Sequence, residues 1–255
     1  MRIARIDSGG TSSYAVLHDE HVEILDREPW AGGTLTGERL ALESVRLLAP
    51  VSPSTIFCVG RNYADHIREM GYEAPTRPSL FIKPLGALLD PYQDVVLPPV
   101  SLSDDVEHEA ELVVVMGRSV RNVEPSEALD AVFGYTVAND VSARDLQRVD
   151  TDVVRAKGFD TFCPVAPWIQ TEVDISAGLT VVCRVNAEVR QDGNTSDLIF
   201  DVPYLVSYLS RFTTLRAGDI ILTGSPGGSG PLRPGDDVEI EIGGVGTLRH
   251  GVTRQ

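Results

Sequence analysis

Acidic residues at every second position are the first feature of the sequence that suggests chemistry. Glu107, Glu109 and Glu111 stand immediately before the apolar run 112–116. On an extended chain, residues two apart point the same way, so Glu109 and Glu111 present two carboxylates on one face. Two adjacent anions repel each other unless a cation or a proton lies between them. This segment alone predicts either a cation site or, with better support, a strand end whose acids face water.

A second apolar run ends abruptly in charged and amide side chains at residues 139–147. Its acid, Asp140, would complete a group of three carboxylates with Glu109 and Glu111. Ligation by oxygen alone suits Mg²⁺, Mn²⁺ or Ca²⁺, whereas zinc prefers His and Cys. Taken by itself, Asp140 is equally well explained as a helix cap.

A histidine and an acid lie three residues apart in a predicted helix, 63–70, with Asn62 as its cap. His66 and Glu69 are therefore neighbours on one helix face. A carboxylate beside an imidazole raises its basicity and orients it, as a general base requires. From spacing alone, a chance pair on a surface helix is favoured. The remaining histidines show no ligand or nucleophile spacing and are predicted to be surface or packing residues: His18, His21, His108 and His250.

The segment 223–230 is rich in glycine and follows a predicted strand. It lacks the lysine and the following helix of a phosphate-binding loop, so nucleotide binding is not supported. Its Thr223 hydroxyl and backbone N–H groups would suit a carboxylate, and a plain hairpin turn is the alternative. The sequence contains no Gly-x-Ser-x-Gly elbow, which leaves a serine hydrolase mechanism without support.

The patterns that position these residues are mostly those of strands. Apolar or alternating runs rich in Val and Ile predict strands at 14–18, 22–25, 56–60, 112–116, 179–185, 219–223 and 238–242. Helical signals are fewer: the segment 63–70, a segment 127–133 capped by Ser126, and one opened by Asp201 that carries Leu205, Leu209 and Phe212 on one face. We expect an α+β fold that is predominantly β.

A break at residues 49–53, which contains two prolines, predicts the division of the chain. A small N-terminal β-rich domain would cover residues 1–52, and a catalytic domain residues 53–255. At 255 residues, with 42% hydrophobic and 23% charged residues, the chain is long enough for a large core and typical of globular proteins.

The formal net charge of −15 disfavours nucleic acid and anionic membranes as partners, because the long-range field repels both. A small anionic substrate would have to be captured by local cations or a metal ion. The N-terminus lacks the apolar region of a signal peptide, and the three widely spaced cysteines suit reduced, buried thiols. We expect a cytoplasmic protein.

Five blocks of the sequence, in order, resemble the fumarylacetoacetate hydrolase family over residues 56–252. They are Val59-Gly60-Arg61-Asn62-Tyr63-Ala64-Asp65-His66, Leu80-Phe81-Ile82-Lys83-Pro84, Glu109-Ala110-Glu111-Leu112, Asn139-Asp140 with Arg144-Asp145, and Leu222-Thr223-Gly224-Ser225-Pro226. One such block is weak evidence, whereas five in family order are strong. The resemblance implies a mixed β-sheet roll with a few peripheral helices and a homodimer.

The resemblance also implies roles for individual residues. Glu109, Glu111 and Asp140 would hold Mg²⁺ or Mn²⁺, with Ca²⁺ as a further candidate, and His66, Glu69 and Lys157 would be catalytic. The implied substrate-binding residues are Arg61, Tyr63, Lys83, Arg144, Gln147, Thr223 and Gly224. The pocket walls that select the substrate are expected in the loops 70–78 and 191–196.

The expected reaction is hydrolysis of a carbon–carbon bond in an acylpyruvate, a small 2-oxo acid such as fumarylpyruvate or acetylpyruvate. Decarboxylation of oxaloacetate is the nearest alternative, and isomerisation or decarboxylation of an unsaturated 2-oxo dioate is another. A reading from a different class is a metal-dependent small-molecule sensor that keeps the pocket without catalysis.

Overall fold

The computed structural model describes residues 1–69, 71 and 73–255, and the side chain of His66 lies outside the described part. Its strands, in chain order, are β1 Arg2–Ser8, β2 Thr11–Leu17, β3 His21–Leu25, β4 Leu35–Ala41, β5 Arg46–Leu48, β6 Ile56–Gly60, β7 Ser79–Lys83, β8 Leu88–Leu89, β9 Val95–Leu97, β10 Val106–Glu107, β11 Ala110–Met116, β12 Val132–Asn139, β13 Ser142–Ala143, β14 Cys163–Pro164, β15 Ile169–Gln170, β16 Thr180–Val185, β17 Glu188–Asn194, β18 Ile220–Leu222, β19 Asp237–Ile242 and β20 Gly246–Arg254.

The helices are short. The α-helices are α1 Ala64–Glu69, α2 Arg144–Val149, α3 Val154–Lys157 and α4 Val202–Ser210. The 3-10 helices are Pro29–Ala31, Leu42–Ser44, Leu85–Ala87, Pro125–Ala131, Ile175–Ala177 and Thr195–Asp197. None of the helices that the structure describes has the length and apolar character needed to cross a membrane.

Two sheets account for most of the strands. The larger has eleven strands in the order β4-β3-β2-β1-β15-β12-β11-β18-β6-β7, with β5 paired to β1, and the smaller has five in the order β17-β16-β19-β20-β9. Both sheets are mixed, because β18 runs parallel to β6 and β20 parallel to β9, whereas other neighbours are antiparallel. The expected α+β, predominantly β class is confirmed.

Strand β11 is central because both of its faces are buried. Leu112, Val114 and Met116 pack in the same cluster as residues of the smaller sheet, whereas Val113 and Val115 pack in a second cluster on the other face. A strand covered on both sides needs apolar residues without alternation. This explains the continuous apolar run that follows Glu111 in the sequence.

The pairing of β11 with β12 brings the acids of the two strands together. The strands are antiparallel and Ala110 lies opposite Asn139, so the start of β11 meets the end of β12. The backbone N–H of Asp140 donates to the carbonyl of Glu109 at 2.9 Å. Glu109 and Asp140, thirty-one positions apart in the sequence, therefore share one end of the sheet.

The N-terminal residues form hairpins that continue the larger sheet. Strands β1 to β4 have a small apolar cluster of their own, containing Ile6, Ala15 and Val22. The sheet is continuous through β1, which pairs with the two-residue strand β15. The division into domains 1–52 and 53–255 remains our proposal.

Helix α1 is shorter at its start than the predicted helix 63–70, and Met70 lies outside the described residues. Asn62 is not its cap. The Asn62 side chain is buried, donates to the carbonyls of Phe200 and Thr223, and accepts from the Phe200 N–H. It joins three chain segments, which the local sequence did not reveal.

The two other predicted helices differ in how they begin. At α4 the Asp201 carboxylate accepts from the Tyr204 N–H, as a cap should, but Phe212 lies beyond the helix and is exposed. Ser126 lies inside the 3-10 helix, which follows Glu124 and carries Pro125 in its first turn. Proline is favoured in the first turn of a helix, so this helix begins at Pro125, two residues before the predicted start at Glu127.

The three cysteines are free and buried, as predicted. Burial raises the pKa of Cys163 and Cys183 to about 12, so both are thiols at neutral pH.

Candidate active site

Three carboxylates meet where β11 and β12 come together. Glu109, Glu111 and Asp140 each offer an oxygen atom within 4.8 Å of the other two, and all three side chains are buried. Glu109 immediately precedes β11, Glu111 is its second residue, and Asp140 follows β12. The alternation of Glu109 and Glu111 places both on one face, and the antiparallel partner supplies the third.

Three cationic side chains contact this acidic group. The Lys157 Nζ atom lies 2.5 Å from Glu109 Oε2 and 2.6 Å from Asp140 Oδ2. Lys83 Nζ lies 2.6 Å from the other oxygen of Asp140, and Arg144 Nη2 lies 2.5 Å from Glu109 Oε1. Lys83 and Lys157 are the only lysines in the sequence, and both are buried here.

Backbone and amide groups fix the orientation of the carboxylates. The Gly224 N–H donates to Glu111 Oε2 at 2.6 Å, from a backbone with φ of +103°. A Cβ atom at Gly224 would lie 2.8 Å from the Cβ of Asn62, so glycine is required by both conformation and space.

A series of buried hydrogen bonds through Asn139 and His250 holds the backbone of Glu109 in place. The Asn139 Oδ1 atom accepts from the Glu109 N–H at 2.8 Å, and its Nδ2 lies 3.0 Å from His250 Nε2. The other ring nitrogen of His250 donates to the Gly251 carbonyl at 2.9 Å. These contacts require neutral His250 with its proton on Nδ1.

Burial and mutual repulsion control the charge of the group. Burial, followed by the neighbouring carboxylates of Asp140 and Glu109, raises the pKa of Glu111 well above its usual range. Burial opposes the charge on Lys157, but Asp140 and Glu109 outweigh it and raise its pKa above the usual lysine range. The ammonium of Lys157 is therefore held charged at neutral pH.

A cavity of about 620 Å³ opens onto the carboxylates. Its polar lining includes Arg61, Arg144, Gln147, Lys157 and Ser225, and its apolar lining includes Val59, Ile67, Phe81 and Val153. Lys157 Nζ also lies 5.2 Å from the centre of the Phe81 ring, within the range of a cation–π contact. The volume suits a small molecule.

Helix α1 closes against the glycine-rich segment on one side of this cavity. The Gly227 N–H donates to Asp65 Oδ2 at 3.2 Å, and the Gly228 N–H donates to Glu69 Oε2 at 2.9 Å. Ile67, between these acids, lines the cavity. The backbone N–H groups predicted to hold a substrate carboxylate thus hold carboxylates of the protein itself.

The donor set fits a hard divalent cation. Three carboxylates supply oxygen atoms only, which is the preference of Mg²⁺, Mn²⁺ and Ca²⁺. The open cavity beside them leaves room for water and for a substrate.

Comparison with known proteins identifies the family. The model of the fumarylacetoacetate (FAA) hydrolase C-terminal family matches residues 55–253, and that of the Rv2993c-like N-terminal family matches residues 1–50. The chain belongs to the fumarylacetoacetate hydrolase family. Members of this superfamily are enzymes, with hydrolases, isomerases and tautomerases among them.

Three relatives of the family illustrate this range. Oxaloacetate tautomerase FAHD2A, mitochondrial, from Bos taurus is 41% identical, over 82% of this chain and 70% of its own length. The structure of 5-carboxymethyl-2-hydroxymuconate delta-isomerase from Mycobacterium smegmatis has 40% identity and a TM-score of 0.93, over 100% of both chains. Maleylpyruvate hydrolase from Sphingobium sp. SYK-6, solved with manganese(II) ion and pyruvate, has 32% identity and a TM-score of 0.80, over 100% of this chain and 99% of its own.

The structure separates the residues for which the family resemblance implied substrate binding. Arg61, Arg144 and Gln147 line the cavity. In the described part of the chain four others are enclosed: Tyr63, Lys83, Thr223 and Gly224. Lys83 is directed at Asp140 and the Val141 carbonyl, and the Thr223 hydroxyl donates to the Leu112 carbonyl. Lys83, Thr223 and Gly224 thus bond to the protein itself around the site, and the substrate-binding roles of all seven residues stay predictions.

The predicted His66 and Glu69 pair is described only in part. Glu69 lies on α1 beside the cavity, whereas the His66 side chain lies outside the described residues. The catalytic roles of His66, Glu69 and Lys157 stay predictions.

Gln191 is a connecting residue that sequence reasoning missed. It was expected in a loop wall, but it is buried within β17. Its Oε1 accepts from the Ala110 N–H at 3.0 Å and lies 3.0 Å from His108 Nδ1, and its Nε2 donates to Ser225 and the Pro226 carbonyl. It therefore ties the strand of the acids to the glycine-rich segment. No local pattern in the sequence marks such a residue.

Proposed function

We propose that this chain is a Mg²⁺- or Mn²⁺-dependent enzyme that cleaves a carbon–carbon bond of an acylpyruvate by hydrolysis. The observation that carries the proposal is the group of Glu109, Glu111 and Asp140, buried at one end of the cavity with Lys157 in contact with two of them. This arrangement suits the stabilisation of negative charge that develops on a 2-oxo acid.

The three carboxylates would hold the metal. When bound, the metal supplies a Lewis acid that polarises the 2-oxo group and fixes its orientation. Arg144 and Gln147, which hydrogen bond to each other at 2.8 Å, line the cavity at this end and would contact the substrate carboxylate. At the cavity, local cations would thus capture a substrate that the net charge of −15 repels at long range.

His66 would act as the general base, with Glu69 raising its basicity. It removes a proton from water, and the hydroxide adds to the distal ketone. The bond between that carbon and the methylene carbon then breaks, leaving a carboxylic acid and the enolate of pyruvate. Lys157 stabilises the enolate oxygen, and the proton that His66 took from water is returned to the methylene carbon to complete pyruvate.

Tautomerisation of oxaloacetate is the second candidate, favoured by the 41% identity to oxaloacetate tautomerase FAHD2A. It needs the same bound 2-oxo acid and a group that moves a proton between carbon and oxygen, but no attack by water. Decarboxylation of oxaloacetate and isomerisation of an unsaturated 2-oxo dioate would use the same cavity.

The test is a comparison of products from acetylpyruvate, fumarylpyruvate and oxaloacetate in the presence of Mg²⁺ or Mn²⁺. Hydrolysis releases pyruvate and an acid as the ultraviolet absorbance of the enol falls. Tautomerisation changes the absorbance of oxaloacetate without releasing pyruvate, and decarboxylation releases pyruvate and carbon dioxide. Absence of any metal-dependent change would contradict enzymatic activity on this class and favour a sensor.

A variant separates the hydrolytic role of α1 from the shared chemistry. Glu69→Gln should abolish hydrolysis of acylpyruvates and spare decarboxylation of oxaloacetate, because only hydrolysis needs an activated water. Equal loss of both activities would contradict the assigned role of the pair.

We further propose a cytoplasmic homodimer. Val149 and Val154, on either side of the cavity-lining residues 150–153, are 74% and 59% exposed, and a partner subunit that covered them would remove this apolar surface from water. The three free thiols fit a reducing compartment.

A further inference from the structure

The tip of the hairpin formed by β2 and β3 carries a second group of metal-ligand side chains. His18, His21 and Glu23 each offer an atom within 4.8 Å of the other two. His18 and His21 flank the two-residue turn Asp19-Glu20, and the His18 N–H donates to the His21 carbonyl at 2.9 Å. Glu23 is two residues beyond His21 on the same strand, so its side chain lies on the same face.

The two imidazoles are arranged side by side. Their rings are stacked with centroids 4.4 Å apart and an angle of 10° between planes. The Nε2 atom of His18 lies 3.6 Å from Glu23 Oε2, and that of His21 lies 4.0 Å from Glu23 Oε1. In a tetrahedral site with bonds of about 2.1 Å, neighbouring ligand atoms are about 3.4 Å apart. Because the lone pair of an imidazole nitrogen lies in the ring plane, one of the two partly exposed rings would turn out of the stack so that both nitrogens face one ion.

One ring nitrogen is enclosed without a partner. The Nε2 atom of His18 makes no hydrogen bond among the described residues and is shielded from solvent, although 42% of the side chain is exposed. An enclosed nitrogen that faces a carboxylate and a second imidazole is suited to accept a cation.

The carboxylate is held by a neighbouring strand. Arg39 of β4 lies opposite Glu23 and pairs with its Oε1 atom. This leaves Oε2 directed at His18. Carboxylates that bind a metal are themselves hydrogen-bonded by neighbouring groups, and Arg39 would supply that bond to Glu23.

We propose that His18, His21 and Glu23 form a binding site for Zn²⁺, separate from the acidic group at the cavity. Two imidazoles and one carboxylate match zinc, whereas the oxygen-only group of Glu109, Glu111 and Asp140 matches magnesium or manganese. The half-exposed position leaves the fourth ligand to water. The proposal is independent of the proposed function.

The experiment measures Zn²⁺ binding to the full chain by competition with a chromophoric chelator, in a large excess of Mg²⁺ to occupy the acidic group. The wild-type protein should bind one equivalent that the double variant H18Q/H21Q does not bind. Glu23→Gln should weaken this binding by about tenfold or more. Glu20→Gln removes the same charge from the turn outside the site and should bind as the wild type does.

Each result decides the question. Zinc binding by H18Q/H21Q equal to that of the wild type, or absence of the equivalent from the wild type, would overturn the site. Equal affinity of Glu23→Gln and Glu20→Gln would overturn the three-ligand arrangement. Circular dichroism of each variant checks that the hairpin substitutions leave the fold intact.

Discussion

At the scale of single residues, each carboxylate of the acidic group has a different set of hydrogen-bond and ion-pair partners. Glu111 accepts from the Gly224 backbone, Glu109 is held by Arg144 and Lys157, and Asp140 by both lysines. Substitutions at these positions should therefore have different consequences, some for metal binding and some for folding.

Glu111→Gln should lower the affinity for Mn²⁺ by about a hundredfold or more, because glutamine keeps the shape and the acceptor for Gly224 but removes the charge that a hard cation prefers. The measurement is Mn²⁺ binding by electron paramagnetic resonance of the free ion. The exposed Glu127→Gln is the matched control and should bind as the wild type does. Unchanged affinity in Glu111→Gln would remove this residue from the ligand set.

Lys83→Met should reduce the free energy of unfolding by about 3 kcal/mol, because it leaves a buried carboxylate without one of its partners. The Lys83 side chain is fully buried against Asp140, so methionine would occupy the same space without supplying the positive charge. Urea denaturation measures the effect. The control, Arg27→Met, breaks the exposed pair with Asp26 and should leave the midpoint unchanged. Equal midpoints for both variants would contradict a structural role for Lys83.

At the scale of elements, helix α1 is held on the cavity by two carboxylates and two glycine N–H groups. The strand framework lies behind it, whereas α1 itself is a helix of only six residues. A short helix has little stability of its own, so these contacts should determine how long it stays in place.

Asp65→Ala should loosen α1, raising KM for the substrate and speeding hydrogen–deuterium exchange of the helix by roughly tenfold, since a hydrogen bond to a charged group contributes about 1.5 kcal/mol or more. Arg68→Ala is the control. Arg68 lies on the same helix, and the bond that its side chain donates to the Ala64 carbonyl stays within the helix. Identical exchange in the wild type and Asp65→Ala would show that the contact with Gly227 does not hold the helix.

The sequence predicted the strands far better than the contacts between them. The alternating acids Glu109 and Glu111 and the apolar run 112–116 follow from the local geometry of a strand. The spacing and the types of neighbouring residues are enough to predict such features. The pairing of Lys83 with Asp140 spans 57 residues, and that of Gln191 with Ala110 spans 81. Such contacts depend on which strands become neighbours. The sequence likewise predicts His18 and His21 only as surface or packing residues, because it does not show that the turn at Asp19-Glu20 stacks their rings.

At the scale of the whole molecule, buried neutral histidine links stability to pH. Burial lowers the pKa of His250 to about 4. The unfolded chain binds a proton near pH 6.5, whereas the folded chain does so only near pH 4, so the unfolded state gains protons first as the pH falls. The contribution of His250 to stability is therefore fully present above pH 6.5 and is lost as the pH falls between these values, by about 3 kcal/mol in all.

His250→Gln should flatten this dependence. The decrease in the free energy of unfolding between pH 7 and pH 4.5, measured by urea denaturation, should be smaller in the variant than in the wild type, whatever its stability at pH 7. Parallel pH profiles would show that His250 is not the group responsible.

The net charge of −15 gives a prediction for the kinetics with an anionic substrate. Added salt screens the repulsion between protein and substrate, so kcat/KM should rise with NaCl concentration at saturating metal. A decrease with salt would show instead that the cations at the cavity dominate the field felt by the approaching substrate.

The burial of both lysines has a practical consequence for labelling. Lys83 and Lys157, the two lysines of the sequence, are enclosed at the acidic group, so in the folded protein neither lysine amine is open to solvent. Amine-reactive dyes and succinimidyl esters should therefore leave both lysine side chains unlabelled, and a label on either lysine would report that the interior of the sheet has opened.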